Sequence, residues 1–142
     1  MRIRGVLSLL LILLLPLAVG GCLKKMDVTG SWAGFVVWDE GDPLEGETTT
    51  VRLDLSQDRQ TVTGNVIMDA EFMYLDFDVV SGHGSNNYIT LETAGVVPGT
   101  YSTHAIFLSL EGVLDQSRIV GTGSMTVDGL VHLLTWQAQR SS

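Results

Sequence analysis

The sequence predicts an all-β domain over residues 30–142, an eight-stranded antiparallel barrel in up-and-down order. Three observations carry this expectation. From Gly30 onward apolar and polar residues alternate with period two, and the three- and four-residue spacing of a helix is hard to find. Turn-forming clusters fall between the apolar runs at short intervals. Glycine is plentiful at 16 and proline scarce at 3, which suits many tight turns. Short sequential connections favour closure into a barrel, which removes exposed strand edges.

Taken in order, the strands are expected at Gly30–Asp39, Thr48–Ser56, Gln60–Met68, Phe72–Ser81, Asn87–Ala94, Thr103–Leu110, Ser117–Val127 and Leu130–Gln139. The first is apolar on both faces, with Trp32, Val36 and Trp38 on one side and Phe35 and Val37 on the other. In the second, Val51, Leu53 and Leu55 alternate with Thr50, Arg52 and Asp54. In the fourth, Met73, Leu75, Phe77 and Val79 alternate with Tyr74, Asp76 and Asp78, and in the sixth Ile106, Leu108 and Leu110 form an inward row. One apolar face per strand marks an antiparallel sheet with a single core side. The turns are read at Gln57-Asp58-Arg59, at the Gly-rich run Gly82–Asn87, at Pro98-Gly99 and at Asp128-Gly129, the last being the strongest short-hairpin signal. Gly64, Gly121 and Gly123 lie inside strands and are expected at bends or bulges. If the barrel closes between its first and last strands, Phe35, Val37, Leu134 and Trp136 gather on one exterior face, a candidate partner surface that a partner, a loop or lipid would cover.

Ahead of the domain, Arg2 and Arg4 precede an apolar run from Val6 to Val19 that contains Pro16. This is shorter than the roughly 20 residues a spanning helix needs and fits the core of a secretory leader. Val19-Gly20-Gly21-Cys22 resembles a bacterial lipobox. The resemblance implies a lipoprotein signal peptide over residues 1–21, cleavage before Cys22, and diacylglycerol on the Cys22 thiol. Cys22 is the only cysteine, so no intramolecular disulfide is available. Residues 22–29 are then a lipidated tether, and two or three acyl chains make anchoring effectively permanent. Leu23 follows the cysteine where some bacteria place an inner-membrane retention aspartate. The expected location is the cell envelope. In a host with two membranes it is the periplasmic face of the outer membrane, and otherwise the outer face of the cell membrane.

Thr29-Gly30-Ser31-Trp32 is similar to the Gly-x-Trp opening of lipocalins and the Thr-Gly-x-Trp opening of avidins. The resemblance implies a calycin-like, lipocalin-like barrel in which Trp32 plugs one end. Lipocalins often set a late basic residue against that tryptophan, and Arg140 is the only candidate. No biotin-site pattern is present, so avidin-like binding is not implied.

Two of the 8 basic residues lie in the leader and none of the 16 acidic ones, which leaves the remaining chain at net −10. Such acidity argues against nucleic acid as a partner. The densest charge is the stretch holding Asp39, Glu40, Asp42, Glu45 and Glu47. It lacks the Asp-x-Asp-x-Asp-Gly order of a calcium loop and reads as a solvated connection at the barrel mouth. In lipocalins the equivalent loop often lids the barrel. His83, His104 and His132 are scattered without the short spacing that zinc ligation uses, so neither a metal nor a cofactor is expected. Gly121-Thr122-Gly123-Ser124 is not a nucleophile elbow, and Asp76 and Asp78 would lie on an open sheet face. The expectation is therefore a non-enzymatic, membrane-tethered binding protein for a small apolar ligand or an envelope protein. The alternative is a purely structural or interaction lipoprotein with a solid core, such as an assembly factor or hydrolase inhibitor.

Overall fold

The computed structural model describes residues 27–141. The leader, Cys22 and the first part of the tether lie outside the described residues. Eight strands follow: β1 (Gly30–Trp38), β2 (Thr49–Asp58), β3 (Thr61–Ala70), β4 (Met73–Ser85), β5 (Tyr88–Pro98), β6 (Thr103–Asp115), β7 (Arg118–Val127) and β8 (Leu130–Arg140). Each pairs antiparallel with the next, and β1 pairs with β8, so the sheet closes into an up-and-down barrel. That architecture is consistent with a calycin-like fold.

Period two decides which residues fill the barrel. The inward rows Val51-Leu53-Leu55 and Ile106-Leu108-Leu110 are buried, as are Trp32, Val36 and Trp38 of β1. Arg52, Asp54, Asp76 and Asp78 point outward and are exposed. A barrel crossing a bilayer would show the opposite, an apolar outer band. Asp128 and Gly129 both have positive φ and join Val127 to Leu130 as a two-residue hairpin. Three of the other short turns each seat one non-glycine residue in the left-handed region, Arg59, Asn86 and Gln116, whereas the Glu71-Phe72 turn between β3 and β4 has none there.

Several expectations are corrected. The Gly-rich run is not a turn, because β4 continues through Ser85 and the connection is Asn86-Asn87 alone. Of the strand glycines, only Gly64 sits at a break in register, between Thr61 and Asn65, with φ at 137°. Gly121 and Gly123 lie in ladders of unbroken register. Their role is room, since a Cβ on Gly121 would meet the Glu111 carbonyl oxygen at 1.8 Å. The indole of Trp136 lies against Gly112, where a Cβ would come within 3.1 Å of it, and its Nε1 donates to the Glu111 and Thr122 carbonyls at 3.1 Å each.

The anticipated exterior face is also corrected. Val36 pairs with Trp136 and Trp38 with Leu134, so Leu134 and Trp136 share the inward phase of β1 and are 1% and 2% exposed. Phe35 and Val37 do point outward, at 49% and 56% exposed, but their β8 neighbours are Gln137 and Thr135.

Candidate functional site

The two barrel ends differ in construction. At the closed end, the indole of Trp32 is fully buried and its Nε1 donates to the Val28 carbonyl at 2.9 Å. The guanidinium of Arg140 stacks 4.3 Å from the centre of that ring. Arg140 also donates to the carbonyls of Thr29 at 2.5 Å and Asp27 at 2.8 Å. Val28 is buried in the core, so residues 27–29, read from the sequence as tether, belong to the barrel floor. A recess of about 710 Å³ beside this end is lined by polar residues and glycine, Asp27, Gln57, Arg59 and Asn86 among them.

The opposite end is open and apolar. A cavity of about 630 Å³ runs between Leu44, Phe72, Met73, Val97, Ile106, Met125 and Leu130, with His104 and His132 also in its wall. Below it the barrel is filled by Leu53, Met68, Leu108, Leu110, Leu134 and Trp136. β4 and β5 pair only from Val79 and Thr93 towards the closed end, so their halves nearest the mouth run apart. Phe77 fills that gap against Gly95, where a Cβ would come within 2.3 Å of the ring. Tyr74 and Pro98 line the same cavity from either side of the opening. Thr93 Oγ1, deeper in β5, is the buried side-chain polar atom without a partner among the described residues.

The acidic β1–β2 connection covers part of this mouth. Asp39, Glu40, Glu45 and Glu47 are exposed, as a solvated run should be. Asp42 is not. Its carboxylate accepts from His132 Nδ1 at 2.9 and 3.1 Å, and each of the two side chains is 9% exposed. Leu44, two residues on, packs against the core cluster. Consecutive turns hold the loop in shape, with Asp42 N–H on the Asp39 carbonyl, Glu45 N–H on the Asp42 carbonyl and Glu47 N–H on the Leu44 carbonyl. Trp38 meets the His132 ring edge-on at 6.3 Å and donates its Nε1 to Thr49 Oγ1 at 3.0 Å. A second pair, His104 Nδ1 and Asp128 Oδ2 at 2.5 Å, stands on the rim, where Asp128 also accepts from Ala105 N–H.

Burial opposes ionisation of Asp42. The His132 hydrogen bond, the Leu44 N–H and the charge of His132 together outweigh it, and the carboxyl is held below its ordinary value of 3.8. A carboxylate whose folded pKa is depressed stabilises the fold above its unfolded value and loses that contribution as pH falls through the folded one. The lid is therefore expected to stay latched at neutral pH and to release below about pH 3.8, as Asp42 protonates. Hydrogen exchange of residues 39–48 across pH 2–6, corrected for intrinsic rate, measures this. Asp42→Asn should leave exchange there nearly independent of pH, and a pH-dependent lid in that variant would sink the assignment. Asp128 is likewise held below its ordinary value, by the His104 hydrogen bond first.

Among the described residues no group of three or more His, Cys, Asp or Glu side chains converges as a metal site would. His83 lies exposed in β4, away from the mouth. Of the residues expected from the sequence to bear function, Trp32 and Asp42 hold defined places at opposite ends of the barrel. His132 was missed, since a single histidine in a strand carries no local mark of a partner 90 residues away. No protein-family model and no curated protein matches this chain.

Proposed function

We propose that the protein is a lipid-anchored envelope lipoprotein that binds a small apolar molecule in the open mouth of its barrel and carries out no catalysis. The single observation carrying the binding half is the apolar cavity of about 630 Å³ beneath a loop latched by Asp42 and packed by Leu44. Cavities of this size, mostly apolar and with a few convergent polar groups, are typical small-ligand sites. The anchoring half is supported by Val19-Gly20-Gly21-Cys22. From Cys22 to Asp27 is five residues, at most roughly 16–18 Å of extended chain. The tether enters at the closed end, beside Trp32 and Arg140, so the mouth is the end farther from the attachment point. The proposed membrane is the outer membrane, on its periplasmic face, in a host with two membranes, and otherwise the cell membrane.

The filled lower barrel favours a second reading, in which the domain acts by its surface as an assembly factor or hydrolase inhibitor. One set of measurements separates the readings. Cys22→Ser is expected to move the protein into the soluble fraction with its leader uncleaved. Retention on the membrane after normal processing would remove the anchoring half. The wild-type chain in phosphatidylcholine vesicles is expected to enhance a neutral environment-sensitive dye above protein-free vesicles. Phe72→Glu and Leu130→Glu, at partly exposed rim positions, should abolish that enhancement without unfolding the barrel. Unchanged dye response in both variants would favour the surface reading.

A further inference from the structure

Resting on the mouth reading above, we propose that the mouth selects an apolar molecule with a protonated amine head and discriminates against a carboxylate of the same chain length. Two independent observations carry this. The first is His132, whose side chain is 9% exposed and forms part of the cavity wall. Its Nδ1 faces an Asp42 carboxylate, which can only accept, so the ring proton sits on Nδ1. Nε2 has no hydrogen-bond partner among the described residues. In the neutral ring Nε2 carries a lone pair, so a residue of the cavity wall holds an acceptor that no described group satisfies. An ammonium or a hydroxyl supplies one, whereas a carboxylate does not.

The second observation is the charge around the opening. Asp39, Glu40, Glu45 and Glu47 of the lid and Glu71 of the β3–β4 turn all lie at the open end, where Asp128 of the β7–β8 turn is paired with His104. No lysine or arginine among the described residues joins them. Arg59, Arg118 and Arg140 are at the closed end, and Arg52 is outward on β2. A mouth rimmed by one sign of charge with low-dielectric walls attracts the opposite sign and repels its own. His132 does not reverse this, because even when protonated it is matched by Asp42 beside it. The apolar walls contributed by Phe72, Val97, Ile106 and Met125 would take the hydrocarbon part.

Octylamine, 1-octanol and octanoate share a chain length and differ only in the head. Isothermal titration of each into the full lipidated chain in phosphatidylcholine nanodiscs, against empty nanodiscs at pH 7, tests the selection. Octylamine is expected to bind at least about tenfold more tightly than octanoate at low ionic strength, with octanol between them. The gap should narrow at about 1 M salt, where charges are screened within about 3 Å. It should also narrow in the Glu40→Gln/Glu47→Gln double variant, whose substitutions are exposed. His132→Leu should cost octylamine and octanol affinity severalfold while octanoate changes little, and His132→Gln serves if the first variant melts early. Equal binding of all three, or octanoate tightest, overturns the head selection and leaves the mouth reading standing. Binding of none overturns both.

Discussion

Trp32→Ala is expected to lower the melting temperature by on the order of 10–20 °C, or to leave the domain unfolded. The indole is fully buried, and truncating such a ring costs about 3–5 kcal/mol in a domain whose whole stability is about 5–15 kcal/mol. Two further losses come with it. The Val28 carbonyl loses the donor at 2.9 Å, and Arg140 loses the face it stacks on at 4.3 Å. Arg140 binds the Thr29 and Asp27 carbonyls, so removing the ring loosens the strap that ties the chain's entry to its exit. The two residues should behave as one unit. Arg140→Ala alone is expected to cost less than Trp32→Ala, and less again when Trp32 is already alanine, a coupling that thermal melts of the four-member cycle measure. A Trp32→Ala protein as stable as the wild type would count against the indole as the plug of the barrel end.

The barrel was legible because its physics is local. Val51-x-Leu53-x-Leu55 announces both the strand and its inward face, and Asp128-Gly129 announces the hairpin through two residues that accept positive φ. Where local cues misled, a long-range fact had taken over. Gly82 and Gly84 resemble turn residues in sequence, but they keep β4 going past its neighbour: a Cβ on Gly82 would meet the Val62 carbonyl oxygen at 2.2 Å. The acidic loop has the composition of a solvated connection, and four of its five acids are exposed. Asp42 differs only because His132 arrives from β8, and no pattern within the loop distinguishes it from Glu40 or Glu45. Arg140 was reachable only through the lipocalin resemblance, since neither composition nor periodicity pairs the last basic residue with the first tryptophan. The same limit applies to the mouth. The sequence supplies Phe72, Val97, Ile106 and Met125 as separate apolar residues, and closure of the sheet makes them one cavity.

Register across the β1–β8 seam makes Trp136→Glu and Phe35→Glu opposite experiments, although both tryptophan and phenylalanine sit in strands with apolar residues on either side. Val36 pairs with Trp136, and Val36 faces the core, so Trp136 faces it too. Its indole occupies space left by Gly112, and its Nε1 is bonded to two backbone carbonyls of β6 and β7. Glutamate there removes a ring whose truncation costs about 3–5 kcal/mol and buries an unpaired carboxylate, a further penalty of several kcal/mol. The total reaches the stability of a typical domain, so Trp136→Glu is expected to abolish the folded state. Phe35 is half exposed beside Gln137 and Thr50. Phe35→Glu should stay within about 1 kcal/mol of the wild type, as surface substitutions commonly do. Urea titrations followed by far-ultraviolet circular dichroism read both values. A Trp136→Glu variant with a wild-type midpoint would place the indole outside the barrel and return it to the exterior face with Phe35 and Val37. A collapsed Phe35→Glu variant would mean that the outer face of β1 is covered in the native protein.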